Sequence, residues 1–224
     1  MVRHDQFFFA VFSLLRYSIS FGLLERPLVI GLFWGALTGD WGMSLSVALF
    51  YELCWLDVIP AGTFIPPQLA ASTLACLTMG TRFGVTEPPM VLVPIVASMP
   101  LAWLGIRMEA GLRNFNNRAY NTLLGWGRSD DTSDIPLVLI GKSLMFQLLA
   151  SWAFFFVSML VLDALLGLVL PLARPLAAWL DVGWPHLWLA ASFGGLMALR
   201  LRGAYLALAA GVAAIGLAAY AEVF

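Results

Sequence analysis

Charge is what this chain has least of. Asp, Glu, Lys and Arg make up 11% of its 224 residues, against about 25% in soluble domains. With 61% of residues hydrophobic and a mean hydropathy of +0.89, too little polar surface exists to cover a water-soluble globule. An integral membrane protein is the class that remains. Cysteine is scarce too. Cys54 and Cys76 stand far apart in apolar runs, without metal or redox spacing, and read as small buried hydrophobes. The two histidines, His4 and His186, have no nucleophile, carboxylate or second ligand at a useful spacing. A P-loop, a GxSxG elbow and an HExxH helix are all missing. No catalytic residue, metal site or cofactor is therefore expected, and covalent chemistry is not expected of the chain by itself. The formal net charge is −1, and no basic domain or patch points to a nucleic-acid partner.

What is present is a series of apolar segments with a few polar interruptions. Residues 6–24 form a first run about one bilayer thick, broken by Arg16. No small-residue cleavage pattern follows it, so it reads as a retained membrane segment rather than a leader. Residues 27–39 are apolar but short, and Pro27 suits a first helical position. Gly31, Gly35 and Gly39 recur at four-residue spacing, which places them on one helix face where two backbones can approach closely in lipid. Asp40 marks a helix end. Residues 41–59 predict a helix carrying Glu52, and 63–80 a segment opened by Pro66-Pro67. Short segments interrupted by Gly and Pro are the signature of re-entrant or broken helices, tolerated at membrane depth where they line a cavity or lie in protein.

The second half is laid out similarly. Residues 89–106 predict a span containing Pro94 and Pro100, followed by the most polar stretch of the chain, 107–134. Within it, Leu112, Phe115, Ala119 and Leu123 fall at helical spacing, which predicts a surface amphipathic helix over 108–125. Its arginine excess places this stretch on the cytoplasmic side. Residues 135–171 are a long apolar run, either one tilted helix from about Ser143 to Leu170 or a short segment and then a span. A Trp- and Pro-rich link over 174–188 precedes two more apolar segments, 187–199 and 203–221. The fold class is thus an all-α integral membrane protein, one domain over 1–224, with about six to eight membrane-embedded helices including short or re-entrant ones. Gly195-Leu196 before Gly203 echoes Gly31-Leu32 before Gly39; an inverted repeat and chance in a Gly/Leu-rich chain both account for it.

Ionisable groups in a membrane are costly and usually face a cavity or a partner. Glu52 is the first such candidate, with apolar residues on both sides; a ligand or pathway role and a structural pair with Arg16 or Arg107 are both open. Asp57 lies about 140° around a straight helix from Glu52, so the two share a face only if the helix unwinds near Pro60, and an interfacial Asp57 is the alternative. Trp55, one turn from Glu52, offers a ring face to a sugar or another flat apolar surface. Thr63 and Gln68 offer uncharged hydrogen bonds from the broken region.

Taken in order, Arg26-Pro27-Leu28, Gly31 to Gly39-Asp40, the apolar helix with Glu52, then Gly62 and Pro66-Pro67 resemble the membrane IIC subunit of the mannose/fructose/sorbose family of the bacterial phosphoenolpyruvate-dependent sugar phosphotransferase system. The likeness runs over 26–75 without a gap, and Arg107 with the stretch after it resembles the family's central polar segment. It implies a non-catalytic, sugar-moving permease subunit in the bacterial inner (plasma) membrane, multi-pass. Its implied partners are a IID membrane subunit and cytoplasmic IIA and IIB phosphocarriers, in an oligomeric complex where IIB phosphorylates the arriving hexose. It places Glu52 at the family's intramembrane Glu and Gly62 in its substrate loop, so that 26–80 becomes the substrate-loop core. This chain departs from the family pattern at Asp57, Pro60 and Gln68, where a Gly, an Asn and an acidic residue are usual. A divergent scaffold or sensor without transport, and an unrelated small-solute transporter subunit, are the alternatives.

Overall fold

With no water to pair exposed amides, a chain this apolar can satisfy its backbone only in helices or a closed barrel. The computed structural model describes residues 25–56, 65–126, 135–198, 203, 205–206 and 209–211, and among these no strand occurs. The helices are α1 (Pro27–Thr38), α2 (Trp41–Cys54), α3 (Leu69–Phe83), α4 (Pro88–Trp126), α5 (Ile135–Ala177) and α6 (Trp184–Ala198). The expected segments at 6–24 and 203–221 lie outside the described residues or almost wholly so.

The turn between α1 and α2 shows how locally the sequence acts. Gly39 closes α1 in the left-handed region (φ 78°) and its N–H donates to Gly35 O at 2.8 Å. A side chain would strain this backbone, and glycine adopts it freely. Asp40 then caps α2, its carboxylate accepting the Met43 N–H at 3.1 Å. Of the three spaced glycines, Gly39 is therefore a turn residue and not a packing residue. Gly31 and Gly35 do pack. A Cβ on Gly31 would lie 2.8 Å from Ser44 O and overlap the Ala48 methyl, and one on Gly35 would lie 2.8 Å from the Trp41 ring. Gly195 on α6 approaches the other end of α2, where a Cβ would stand 2.5 Å from Leu53 O. Gly203, which matches Gly39 in the hinted repeat, lies in helical backbone, whereas Gly39 closes a helix.

α3 is the centre. All residues from Ala70 to Gly80 are buried, because α1, α2, α4 and α5 all pack on it. Its side chains are mostly Ala, Ser, Thr, Cys and Gly, and small residues let helices approach closely where lipid offers no hydrophobic drive between them. Trp34 on α1 donates from Nε1 to Thr81 Oγ1 of α3 at 3.3 Å. Trp188 on α6 donates to Ser46 O of α2 at 3.1 Å.

The long helices correct three boundaries. α4 is continuous over its 39 residues despite Pro94 and Pro100, so the stretch 108–125 is not a separate surface helix. Its apolar positions serve packing: Leu112 is buried and Phe115 stacks on Phe146 of α5 at 4.1 Å. α5 is one helix of 43 residues, and the link before α6 shrinks to 178–183. At 1.5 Å per residue, α4 and α5 reach about 58 and 64 Å, well beyond the roughly 30 Å hydrocarbon core. These two are long and apolar enough to cross a bilayer, whereas α1 and α2 are shorter apolar helices.

Overpacking a tight helix contact costs about 1–3 kcal/mol. Gly31→Val is expected to fall in that range. At Gly111 a Cβ meets nothing within 4 Å, so Gly111→Ala is expected to stabilise by roughly 0.5–1 kcal/mol through helix propensity alone. Thermal melts in detergent check the pair; a Gly31→Val protein melting as high as Gly111→Ala would disprove the close-approach account.

Candidate functional site

The first turn of any helix leaves amide groups without partners. α1 begins with Pro27, which has no N–H, and has no acid of its own in that turn and no side-chain cap from Arg26. Glu52 supplies the missing acceptor from the last turn of α2. Its Oε2 accepts the Leu28 N–H at 3.4 Å, and its Oε1 pairs with Arg26 Nη1 at 3.1 Å. A carboxylate at a helix N-terminus also meets the favourable end of the macrodipole. The pair is partly open, at 37% exposure for Arg26 and 17% for Glu52. Among the described residues the arginine paired with Glu52 is thus Arg26, and Arg16 lies outside them. Antiparallel α1 and α2 joined by a two-residue turn bring the start of one to the end of the other.

α2 stops at Cys54, earlier than the sequence predicts, and Trp55 leaves the helix at φ −126°, ψ 37°. Its ring lies parallel to that of Tyr51, with centroids 6.0 Å apart and planes 9° apart. One indole face is therefore covered by Tyr51. Tyr51 itself is fully buried; its hydroxyl donates to Ile95 O at 3.0 Å and shares a 2.6 Å hydrogen bond with Ser98 Oγ.

Gln68 precedes α3, after Pro66-Pro67. Its N–H donates to Ala102 O of α4 at 3.0 Å. Its side chain is buried, and Oε1 has no hydrogen-bond partner among the described residues. Gly105 makes room for it: a Cβ there would lie 2.6 Å from that oxygen. Met43, near the start of α2, packs beside Gly80, near the end of α3. The start of α1, the end of α2 and the start of α3 consequently gather at one end of the short-helix bundle, bringing Arg26, Glu52, Trp55 and Gln68 to it. On α4 this end falls at Ala102–Gly105, just before the charged stretch that opens with Arg107. Asp57, Gly62 and Thr63, with Pro60, lie in 57–64, outside the described residues.

The structure gives surroundings to further polar residues that the sequence left without a role. Ser72, Thr73 and Thr78 on α3 are buried with hydroxyls that find no partner among the described residues. Arg82 grips Asp163 of α5 through two nitrogens, the Nη2–Oδ2 contact being 3.0 Å. Glu109 is buried and receives Arg113 Nη2 at 2.8 Å, one turn along α4. The opposite charge one turn away signalled the last pair in sequence; nothing in sequence joined Arg82 to Asp163, 81 residues apart. No group of three or more His, Cys, Asp or Glu that could hold a metal occurs among the described residues.

Two long apolar helices and a central helix of small residues are the features of a helical membrane protein. The family model of the sorbose-specific IIC component of the phosphotransferase system matches residues 6–177, most of the chain, and the chain belongs to that family. It is a sugar-permease subunit of the phosphotransferase system, embedded in a membrane and working with other components of that system. Neither the curated proteins nor the solved structures gave a match.

Exposed ion pairs contribute about 0–1 kcal/mol, so Arg26→Gln is expected to lower stability by no more than about 1 kcal/mol. Gly105→Ala drives a methyl into Gln68 and is expected to cost about 1–3 kcal/mol. Melting curves of the two variants in detergent test the contrast; equal melting would remove Gln68 from its place against α4.

Proposed function

We propose that this chain binds and moves a hexose-like sugar for phosphorylation by a separate IIB subunit. Glu52, Trp55, Asp57, Gly62, Thr63 and Gln68 form the binding region in this reading. The observation that carries it is the convergence of Glu52, Trp55 and Gln68 at one end of the short helices, with 57–64 joining their two arms. A sugar offers hydroxyls to a carboxylate and an amide oxygen, and an apolar ring face to an indole. The unpaired Gln68 oxygen suits a hydroxyl donor. The indole of Trp55 suits the apolar face of a pyranose ring. Gln68 in place of an acid, Pro60 in place of an Asn and Asp57 in place of a Gly rearrange the loop's hydrogen-bonding groups, which favours a substrate different from mannose.

The chain acts in the inner membrane as a multi-pass protein beside a IID subunit, with IIA feeding phosphate to IIB. The site end of the bundle lies next to the charged part of α4, and arginine bias puts that part in the cytoplasm. Sugar held there stands on the side where a soluble phosphocarrier can reach it.

Uptake and phosphorylation of radiolabelled mannose, fructose and sorbose in cells with and without this gene test the reading. One of them is expected to accumulate as phosphate ester only with the gene, and Glu52→Gln is expected to cut uptake tenfold or more, the scale of about 1.4 kcal/mol in binding. Wild-type uptake by Glu52→Gln would remove Glu52 from the site.

A further inference from the structure

We infer that Tyr51, acting with Ser98, is a positioning residue that sets sugar affinity by fixing the end of α2 against α4. The inference rests on the sugar site proposed above. Tyr51 stands directly before Glu52 and one turn before Trp55, so its two interactions hold both. Its ring backs the Trp55 indole, parallel and 6.0 Å away, which leaves the indole only its opposite face to present. Its hydroxyl reaches across to α4 at Ile95 O and Ser98 Oγ.

The place it reaches matters. Pro94 and Pro100 each remove an amide donor from α4, which frees the carbonyls of Met90 and Val96 on either side of Ile95. Ser98 Oγ is within hydrogen-bond distance of both Pro94 O (2.7 Å) and Ile95 O (3.1 Å), so the Tyr51 hydroxyl joins a local polar knot. The knot is fully buried, with Tyr51 at 0% and Ser98 at 1% exposure. The same helix, two turns further on, carries Ala102 and Gly105 against Gln68. One hydroxyl thereby ties together the elements bearing Glu52 and Trp55 on one side and the wall behind Gln68 on the other. A purely space-filling ring would need no such bond, and phenylalanine would fill the volume at less desolvation cost.

The test uses the full chain, co-produced with its partner subunits, in membrane vesicles supplied with labelled mannose, fructose and sorbose. Tyr51→Phe keeps the ring and removes the hydroxyl. It is expected to raise the half-saturating sugar concentration about tenfold with the maximal rate within about twofold, the loss of one buried hydrogen bond at a binding end. Ser98→Ala is expected to do the same, and the double variant no more than either alone, because both break one knot. Melting of the sugar-free protein is measured alongside. Lower melting with unchanged half-saturation would overturn the proposal in favour of a structural role, as would additive effects of the two changes. Unimpaired uptake by Glu52→Gln and Trp55→Ala, or no uptake of any probe by wild type, would overturn the underlying sugar site and the proposal with it. Loss confined to Glu52 and Trp55 variants would leave the site standing and reject Tyr51.

Discussion

The distance at which helices can sit around α3 governs the rest of the architecture. Four helices touch it, and every residue from Ala70 to Gly80 is buried. In water, such a helix would be favoured for the apolar area it hides. In lipid that drive is absent between helices, and packing contacts with hydrogen bonds must do the work. Thin side chains maximise both, because backbones come near enough for Trp34 to reach Thr81 and for Met43 to lie on Gly80. The cost is visible in the same residues: hydroxyls on Ser72, Thr73 and Thr78 are shut away without partners among the described residues. Such groups are expensive in an apolar setting, and a helix chosen only for stability would replace them with Ala or Val.

Charge is handled by pairing rather than by exposure. Glu52 is answered by Arg26 and a helix-terminal amide, Asp163 by the fork of Arg82, Glu109 by Arg113. Of the six groups only Glu109 is buried, so its pair is the one where removing a partner costs more than an exposed pair contributes. The three differ in reach. Glu109 finds its partner one turn away on the same helix, Glu52 across a tight hairpin, and Asp163 on a separate layer. Only the middle one lies at the end of the bundle where α2 stops and Pro66-Pro67 precede α3.

Legibility in the sequence followed the range of the interaction. Helical membrane class, the short first hairpin and the interruption at Pro66-Pro67 could be read directly, since each rests on composition or on residues a few positions apart. Family membership could be read from the order of motifs over 26–75, and the family match extends it to the end of α5. The end of α2 at Cys54 could not, because Trp55 leaves the helix to stack on Tyr51, a contact between rings and not a breaker residue. Nor could the continuity of α4, since polar spacing after Arg107 looks the same whether it faces a membrane surface or α5. Tyr51, the residue with the most connections near the site, looked like one more aromatic in an apolar run; its value lies in Ile95 and Ser98, more than 40 residues away.

The short helices have an electrical consequence. α1, α2 and α3 are about 18–22 Å long at 1.5 Å per residue, set beside a hydrocarbon layer of about 30 Å. Where water reaches their ends, the transmembrane voltage falls over the shorter path, and the local field is steeper than in the surrounding lipid by about one and a half times. A lone carboxylate carried fully across would meet about 2.3 kcal/mol of work for every 100 mV. Glu52, at one end of these helices, has its charge offset by Arg26 at 3.1 Å. Movement of this end of the bundle as a unit would carry no net charge from that pair.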